Sequence, residues 1–384
     1  MDFITTFNTY KEKSISGRYI TNKHIEPILQ RLNFNFKVET IGYSVLNKPI
    51  KSVRFGTGNL KIFMWSQMHG NESTTTKALF DLFNFLQSND NEAKAILENY
   101  TFLVLPILNP DGAESYTRVN ANSIDLNRDS VDLTQPEAQI LRKAFEDFKP
   151  DFCFNLHDQR TIFGAGATGK PATVSFLAPS YNEQREFNDC RLNAVAIINE
   201  MNKVLQQFIP NQVGCFDDAF NLNCIGDYFQ SRGVPTILFE AGHFPKDYER
   251  EATRKYIFIA ILSALKCIFK RKYTENDLQE YLNIPQNKTV FYDFIYKNVT
   301  IYKESLEIIT NFAAQYKEVL KDEKIFLQAE IIEIGQLKDK FGHVEYDCEQ
   351  GLFKDDEGNT PKLGKNANFS IKINNLFTNG VKIN

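Results

Sequence analysis

The chain has 384 residues, 42% of them hydrophobic and 24% charged, with a formal net charge of −4. That is enough apolar material for a sizeable core, and it excludes the global basic field that nucleic acid or an anionic membrane selects. No apolar run reaches the length of a membrane span, and MDFITTFNTYKEK lacks the basic-then-apolar order of a secretory leader. The expectation is a cytoplasmic protein with no membrane and no nucleic-acid partner.

In chain order, residues 1–32 read as helical, with Ile20, Ile25, Ile28, Leu29 and Leu32 forming a partly apolar face. Phe36–Ile41 and Ile50–Phe55 are strand-like and are joined by a polar turn at Asn47-Lys48-Pro49. A third apolar run, Lys61–Trp65, breaks into His69-Gly70-Asn71-Glu72. Ser73, Thr74, Thr75 and Thr76 then open a helix whose buried stripe is Ala78, Leu79 and Leu82. Ala93–Leu97 is helical. Tyr100–Leu108, YTFLVLPIL, has the unbroken apolar character of a central strand and runs into Asn109-Pro110-Asp111-Gly112. The polar stretch Tyr116–Asp129 has little to bury and reads as a ligand-binding loop.

Pro136–Phe148 is helical, and the short strand Phe152–Leu156 delivers His157. Residues 159–180 read as a long functional loop, followed by helices at Asp189–Phe208 and Ile225–Arg232. Val234–Phe239 is a buried strand closed by Glu240. Arg254–Phe269 is an apolar helix whose last turn is complemented by Lys270, Arg271 and Lys272. The pattern then changes. Val290–Tyr296, Phe326–Ile334 and Phe369–Ile373 are strand-like and Leu306–Leu320 reads as a helix. The division expected is therefore a main domain over 1–275 and a β-rich accessory domain over 285–384. Six scattered cysteines with no CxxC pair read as free thiols, a Cys215–Cys224 disulfide being the exception to watch.

Four strands thus end in His69/Glu72, in Asn109–Gly112, in His157 and in Glu240, and in a sheet with helical crossovers such ends converge on one edge. His69 and Glu72, three apart across a turn, can face one ion, and a nitrogen–oxygen donor pair suits zinc, which needs a third protein ligand and an open position. On that stretch alone, a capped helix start with a turn histidine explains the residues equally well. Glu240 adds weight, because a carboxylate directly after a buried strand is costly unless paired or functional.

In these motifs the chain resembles the zinc carboxypeptidase family over roughly residues 40–270. The resemblance implies an α/β fold, a mixed central β-sheet flanked by helices, with the smaller β-rich C-terminal domain appended. HGNE implies His69 and Glu72 as ligands of one zinc ion, and LHD at 156–158 implies His157 as the third. In TRVNANSIDLNRD, Arg118 matches the arginine that polarises the scissile carbonyl, while Asn127 and Arg128 match the pair that receives a terminal carboxylate. LFEAG implies Glu240 as general base. The implied substrate is a peptide or N-acyl amino acid with a free carboxylate.

HGNE is also similar to the murein-peptide amidases and to the succinylglutamate desuccinylase/aspartoacylase relatives, which carry a small β-rich C-terminal domain. NPDG and the Arg-x-Asn-x-Asn run favour the peptidase branch. No tyrosine stands some twenty residues before Glu240, where digestive members have one, so that role is vacant or taken by Tyr228 from elsewhere. The specificity pocket would be built by 159–180 and 211–230. His243 reads as a donor supporting the site residues, a substrate contact or a surface-loop residue, Arg160 as a contact for an acidic substrate or a loop ion pair, and His24 and His343 as surface residues.

Overall fold

The computed structural model describes residues 2–268, 273–304, 306–372 and 375–383. Lys270–Lys272, read above as helix-terminal cations, and the end of the Phe369–Ile373 strand lie outside them. In chain order the elements are α1 (Phe3–Tyr10), α2 (Asn22–Leu29), β1 (Lys37–Tyr43), β2 (Pro49–Gly56), β3 (Leu60–Ser66), α3 (Thr74–Leu86), α4 (Asn91–Asn99), β4 (Tyr100–Leu105), α5 (Pro110–Ser115), α6 (Pro136–Phe148), β5 (Phe152–Asp158), β6 (Phe163–Ala165), β7 (Val174–Leu177), α7 (Asp189–Leu205), β8 (Val213–Cys215), α8 (Ile225–Ser231), β9 (Thr236–Ala241), α9 (Glu251–Ile268) and α10 (Glu275–Leu282). The remainder is β: β10 (Asn287–Thr289), β11 (Phe291–Lys303), β12 (Leu306–Lys321), β13 (Lys324–Gly335), β14 (Phe341–Asp347), β15 (Phe353–Lys354), β16 (Phe369–Ile371), β17 (Asn375–Thr378) and β18 (Val381–Lys382).

The chain divides into two compact units, residues 1–159 with 172–287, and residues 160–171 with 288–384. The first is a mixed eight-stranded sheet in the order β1-β2-β4-β3-β5-β9-β7-β8. Its centre, β4-β3-β5-β9, is parallel, and β7 runs antiparallel to β9. Strand alternation sorts the side chains onto two helical layers. Ile62 and Met64 of β3 join the core under α3, α7 and α9, whereas Phe63 and Trp65 join the one under α6 and α8. The parallel strands run apolar on both faces because both are covered.

The second unit has a four-stranded sheet, β13-β12-β11-β14, a small sheet β15-β16-β17-β18, and the pair β10-β6. Its core is an aromatic cluster around Tyr296, Phe312, Phe353, Phe369 and Phe377.

Several expectations are corrected. Leu306–Leu320 is not a helix but most of β12, paired on both sides, with β11 and β13. Residues 1–32 hold two short helices instead of one, with residues 11–21 between them. The loop read over 159–180 contains β6 and β7. Glu240 lies inside β9, not after it. All six cysteines are free, so no Cys215–Cys224 bridge forms. Among the described residues no helix is long and apolar enough to cross a membrane.

Candidate metal centre

The first unit places the four motifs at one edge of its sheet. After β3 the chain turns through His69–Glu72 into α3. Gly70 is required there, since a Cβ on it would sit 1.9 Å from the backbone of Gly112. The NPDG segment is thus a support: Asn109 caps α5 by accepting from Gly112 N at 2.8 Å and donates to Met68 O at 3.2 Å. His157 and Glu240 are register partners on β5 and β9, so the sheet itself sets them side by side.

His69 Nδ1 lies 2.9 Å from Glu72 Oε1, His157 Nδ1 lies 2.8 Å from Glu72 Oε2, and the two ring nitrogens are 3.1 Å apart. All three residues are buried, and their donor atoms lie within 4.8 Å of one another. Two imidazole nitrogens and a carboxylate converging on one point are the donor set and spacing of a zinc site, where ligands sit about 2.0–2.2 Å from the ion. His69 Nε2 is 2.9 Å from Asp125 Oδ1, the carboxylate–histidine arrangement that fixes the tautomer and orientation of a metal-binding ring. These residues fit the zinc ion that the sequence implies.

Charge is unbalanced here. Burial alone would raise the Glu72 carboxyl, but His69 and His157 outweigh it and hold it far below the usual range. Burial opposes a charged His69 ring, yet Glu72 and Asp125 carry it above its ordinary value. Burial depresses His157. Glu240 is pushed well up, by burial first and then by the charges of Glu72 and Asp158. Its Oε2 is sealed from solvent and, among the described residues, has no hydrogen-bond partner. A cation bound among these groups would reverse that shift.

Arg118 is half-exposed and held by Glu72 Oε1 at 3.2 Å and Asp125 Oδ2 at 3.1 Å. Asn127 and Arg128 follow in the Leu126–Arg128 turn. Asn127 Oδ1 accepts from Ile225 N at 3.1 Å, and Arg128 Nη1 donates to Asn127 O at 2.6 Å and to Cys224 Sγ at 2.9 Å. The Cys224 thiol, pushed up to about 11 by burial, is neutral.

Three residues were missed by sequence reasoning. Asp125 stands inside the DLNR string, and only its contact with His69 reveals its task. Asp158 accepts from Thr74 N at 3.0 Å and donates its own N–H to Glu72 Oε2 at 3.1 Å, tying the start of α3 to Glu72. Arg250 donates to Ala241 O at 2.8 Å and Gln159 O at 2.9 Å, clipping together the two strand ends just past Glu240 and His157. No local pattern signals a side chain that far along the chain.

Other expectations change. His243 is not a surface residue: it is buried, with its ring 4.7 Å from that of Tyr248. His24 caps α2 through Thr21, and His343 stacks on Phe291 and bonds Thr161 O at 2.8 Å. The Tyr228 ring lies beneath the Arg142 guanidinium at 3.7 Å. Arg160 is exposed and belongs to the second unit.

The sequence model of the zinc carboxypeptidases matches residues 22–160. Over this stretch the chain is similar to the zinc carboxypeptidases. His69, Glu72, Arg118, Asn127, Arg128 and His157 fall within the match, whereas Glu240 lies beyond it. Carboxypeptidase 2 of Trichophyton equinum is 30% identical over 128 residues, 32% of this chain and 24% of the relative. Carboxypeptidase E of Caenorhabditis elegans is 29% identical over 177 residues, 36% of this chain and 38% of the relative. The chain therefore spans well under half the length of these carboxypeptidases.

Among solved structures, a metallo-carboxypeptidase from Burkholderia cenocepacia superposes with a TM-score of 0.52 at 19% identity, over 65% of this chain and 69% of that one. One from Pseudomonas aeruginosa, in complex with (2-guanidinoethylmercapto)succinic acid, gives 0.51 at 18%, over 68% and 70%. At these identities the likeness establishes a shared carboxypeptidase fold.

Proposed function

We propose that the protein is a zinc-dependent carboxypeptidase that hydrolyses the C-terminal amide bond of a peptide. One observation carries the reading: the buried His69–Glu72–His157 donor set stands beside a carboxylate, Glu240, that is no part of it and has an unengaged oxygen. Zinc bound by His69, Glu72 and His157 would supply Lewis acidity and an acidified water. Glu240 takes the proton from the attacking water and delivers it to the leaving amine. Arg118, fixed by Glu72 and Asp125, offers its remaining N–H groups to the developing oxyanion. Asn127 and Arg128 receive the terminal carboxylate, Arg128 through a planar fork that matches it. Asp125 orients His69, and Arg250 keeps His157 and Glu240 in register.

The N-acyl amino acid amidohydrolase and murein-peptide amidase readings use the same residues, and Asn71 of HGNE keeps them in play. A mass-spectrometric panel on zinc-loaded protein separates them. It contains peptides with free and amidated carboxyl ends, a γ-D-glutamyl-diaminopimelate peptide, and N-acetyl and N-succinyl amino acids. Chelator-sensitive loss of one residue, from free-carboxyl peptides only, is the expected result. Cleavage of the N-acyl amino acids alone would move the protein to the deacylase reading.

A further inference from the structure

Gln67 stands two residues before His69, fully buried, with φ at 45°. That left-handed conformation suits glycine and disfavours a residue with a Cβ. A position that keeps a long side chain against the preference of its own backbone has a use for that side chain. The Gln67 amide is engaged at both ends. Nε2 donates to Gly70 O at 2.8 Å and to Ile20 O at 3.0 Å, and Oε1 accepts from Thr76 Oγ1 at 2.8 Å. One side chain thus joins the turn that carries His69 and Glu72, the first turn of α3, and a segment far back in the chain.

That segment is the strap of residues 11–21 between α1 and α2, which precedes the residues matched by the carboxypeptidase model. It forms no helix or strand and is gripped by its backbone. Ser73, the residue after Glu72, donates from Oγ to Arg18 O at 2.6 Å. Gln67 and Ser73 therefore bracket the His69–Glu72 turn in sequence, and both hold the strap, at carbonyls two residues apart. At the strap's other end Arg254 donates to Glu12 O at 2.7 Å and Ile15 O at 2.9 Å, and Glu12 N donates to Asp81 Oδ1 at 2.7 Å. The NPDG segment supplies the second hold on the turn, Asn109 N donating to Gln67 O at 3.0 Å.

We infer that Gln67 is a positioning residue of the metal centre: it couples the 11–21 strap to the His69–Glu72 turn, so that strap docking and zinc binding strengthen each other. The coupling requires zinc on His69, Glu72 and His157 and is independent of which bond the protein cleaves. Without the amide, Gly70 O and Ile20 O lose a donor, and the turn is released to orientations in which His69 and Glu72 no longer converge. The effect is reciprocal. The factor by which the docked strap tightens zinc is the factor by which saturating zinc suppresses undocking of the strap.

The test compares the unsubstituted protein with Gln67→Gly, which relaxes the backbone and removes the amide, and Gln67→Met, which removes the amide and keeps the length. Competition with a chromophoric chelator gives zinc affinity, and the visible spectrum of cobalt-loaded protein reports the geometry at the ion. Trypsin probes the strap at Arg18, whose buried side chain and Ser73-bound carbonyl become a cleavage point only on undocking. We expect both variants to bind zinc about tenfold or more weakly, with an altered cobalt spectrum. Saturating zinc should slow cleavage at Arg18 about tenfold or more in the unsubstituted protein, and less in either variant. Zinc affinity and cobalt spectrum unchanged in both variants would overturn the coupling. So would cleavage at Arg18 indifferent to zinc in the unsubstituted protein, a measurement that needs no variant to fold. Failure of the unsubstituted protein to bind zinc, or binding that survives His157→Ala, would sink the metal reading and the coupling with it. Zinc binding that depends on His157 and not on Gln67 would sink the coupling alone.

Discussion

Helix α3 has a cluster of buried charge at its N-terminal end and a second one along its length, and they are built on opposite rules. Along the helix, every charge meets its opposite. Arg254 donates from Nε and Nη2 to Asp81 at 2.7 and 2.6 Å, and also to Glu12 O, Ile15 O and Glu251. Lys77 holds Glu251 at 2.6 Å and Glu249 O at 3.0 Å. That network ties the N-terminal segment, α3 and α9 into one body, which is what a buried ion cluster must do to repay its desolvation. At the N-terminal end, acceptors face acceptors: two imidazole nitrogens meet at 3.1 Å, four carboxylates gather, and Glu240 Oε2 and His157 Nε2 engage nothing among the described residues. One cluster is neutralised from within, and the other has the composition of a site neutralised by an added cation. Burial marks both, so burial alone does not mark a functional site. The unmet atoms do.

The contrast can be broken by exchanging what each cluster tolerates. His157→Ala should abolish stoichiometric zinc binding and reduce turnover to background while the chain stays folded; retention of zinc, read by elemental analysis, would contradict the ligand assignment. Arg254→Ala should do the opposite, costing about 3–5 kcal/mol of stability in urea unfolding because Asp81 is left buried and unpaired, with zinc stoichiometry unchanged in the folded fraction. If stability barely moves, the second cluster does not hold the fold together. Asp125→Ala should weaken zinc affinity about 10–100-fold through His69, measured by competition with a chromophoric chelator; an unaltered affinity would reduce Asp125 to a surface partner of Arg118. The smallest change is expected for Arg128→Ala, a rise in KM of about tenfold for free-carboxyl peptides at constant zinc affinity. An equal rise for amidated peptides would remove Arg128 from the carboxylate site.

Much of the candidate metal centre was legible in the sequence, because each of its residues stands near the end of an apolar run and parallel strands deliver such ends to one edge. His69, Glu72, His157 and Glu240 could be placed together without coordinates. What could not be read was the support: Asp125 and Arg250 act through single long-range bonds that leave no periodic trace. Gln67 also escaped notice, since in SQMHGNE it resembles one more polar residue of a turn. The misreading of Leu306–Leu320 has another origin. AAQYKEVLK is rich in helix formers, but its pairing with β13 along its whole length, and with β11 at Ala313 and Ala314, outweighs local preference. His243 was misplaced because a histidine after a strand reads as loop, whereas the chain folds back there and buries it.

The most direct measurement is zinc content and kcat of Glu240→Gln on one free-carboxyl peptide. The account predicts one zinc per chain, as in the unsubstituted protein, with turnover lost: Glu240 moves the proton and does not hold the ion. Full activity with zinc retained, or loss of the zinc itself, would contradict it.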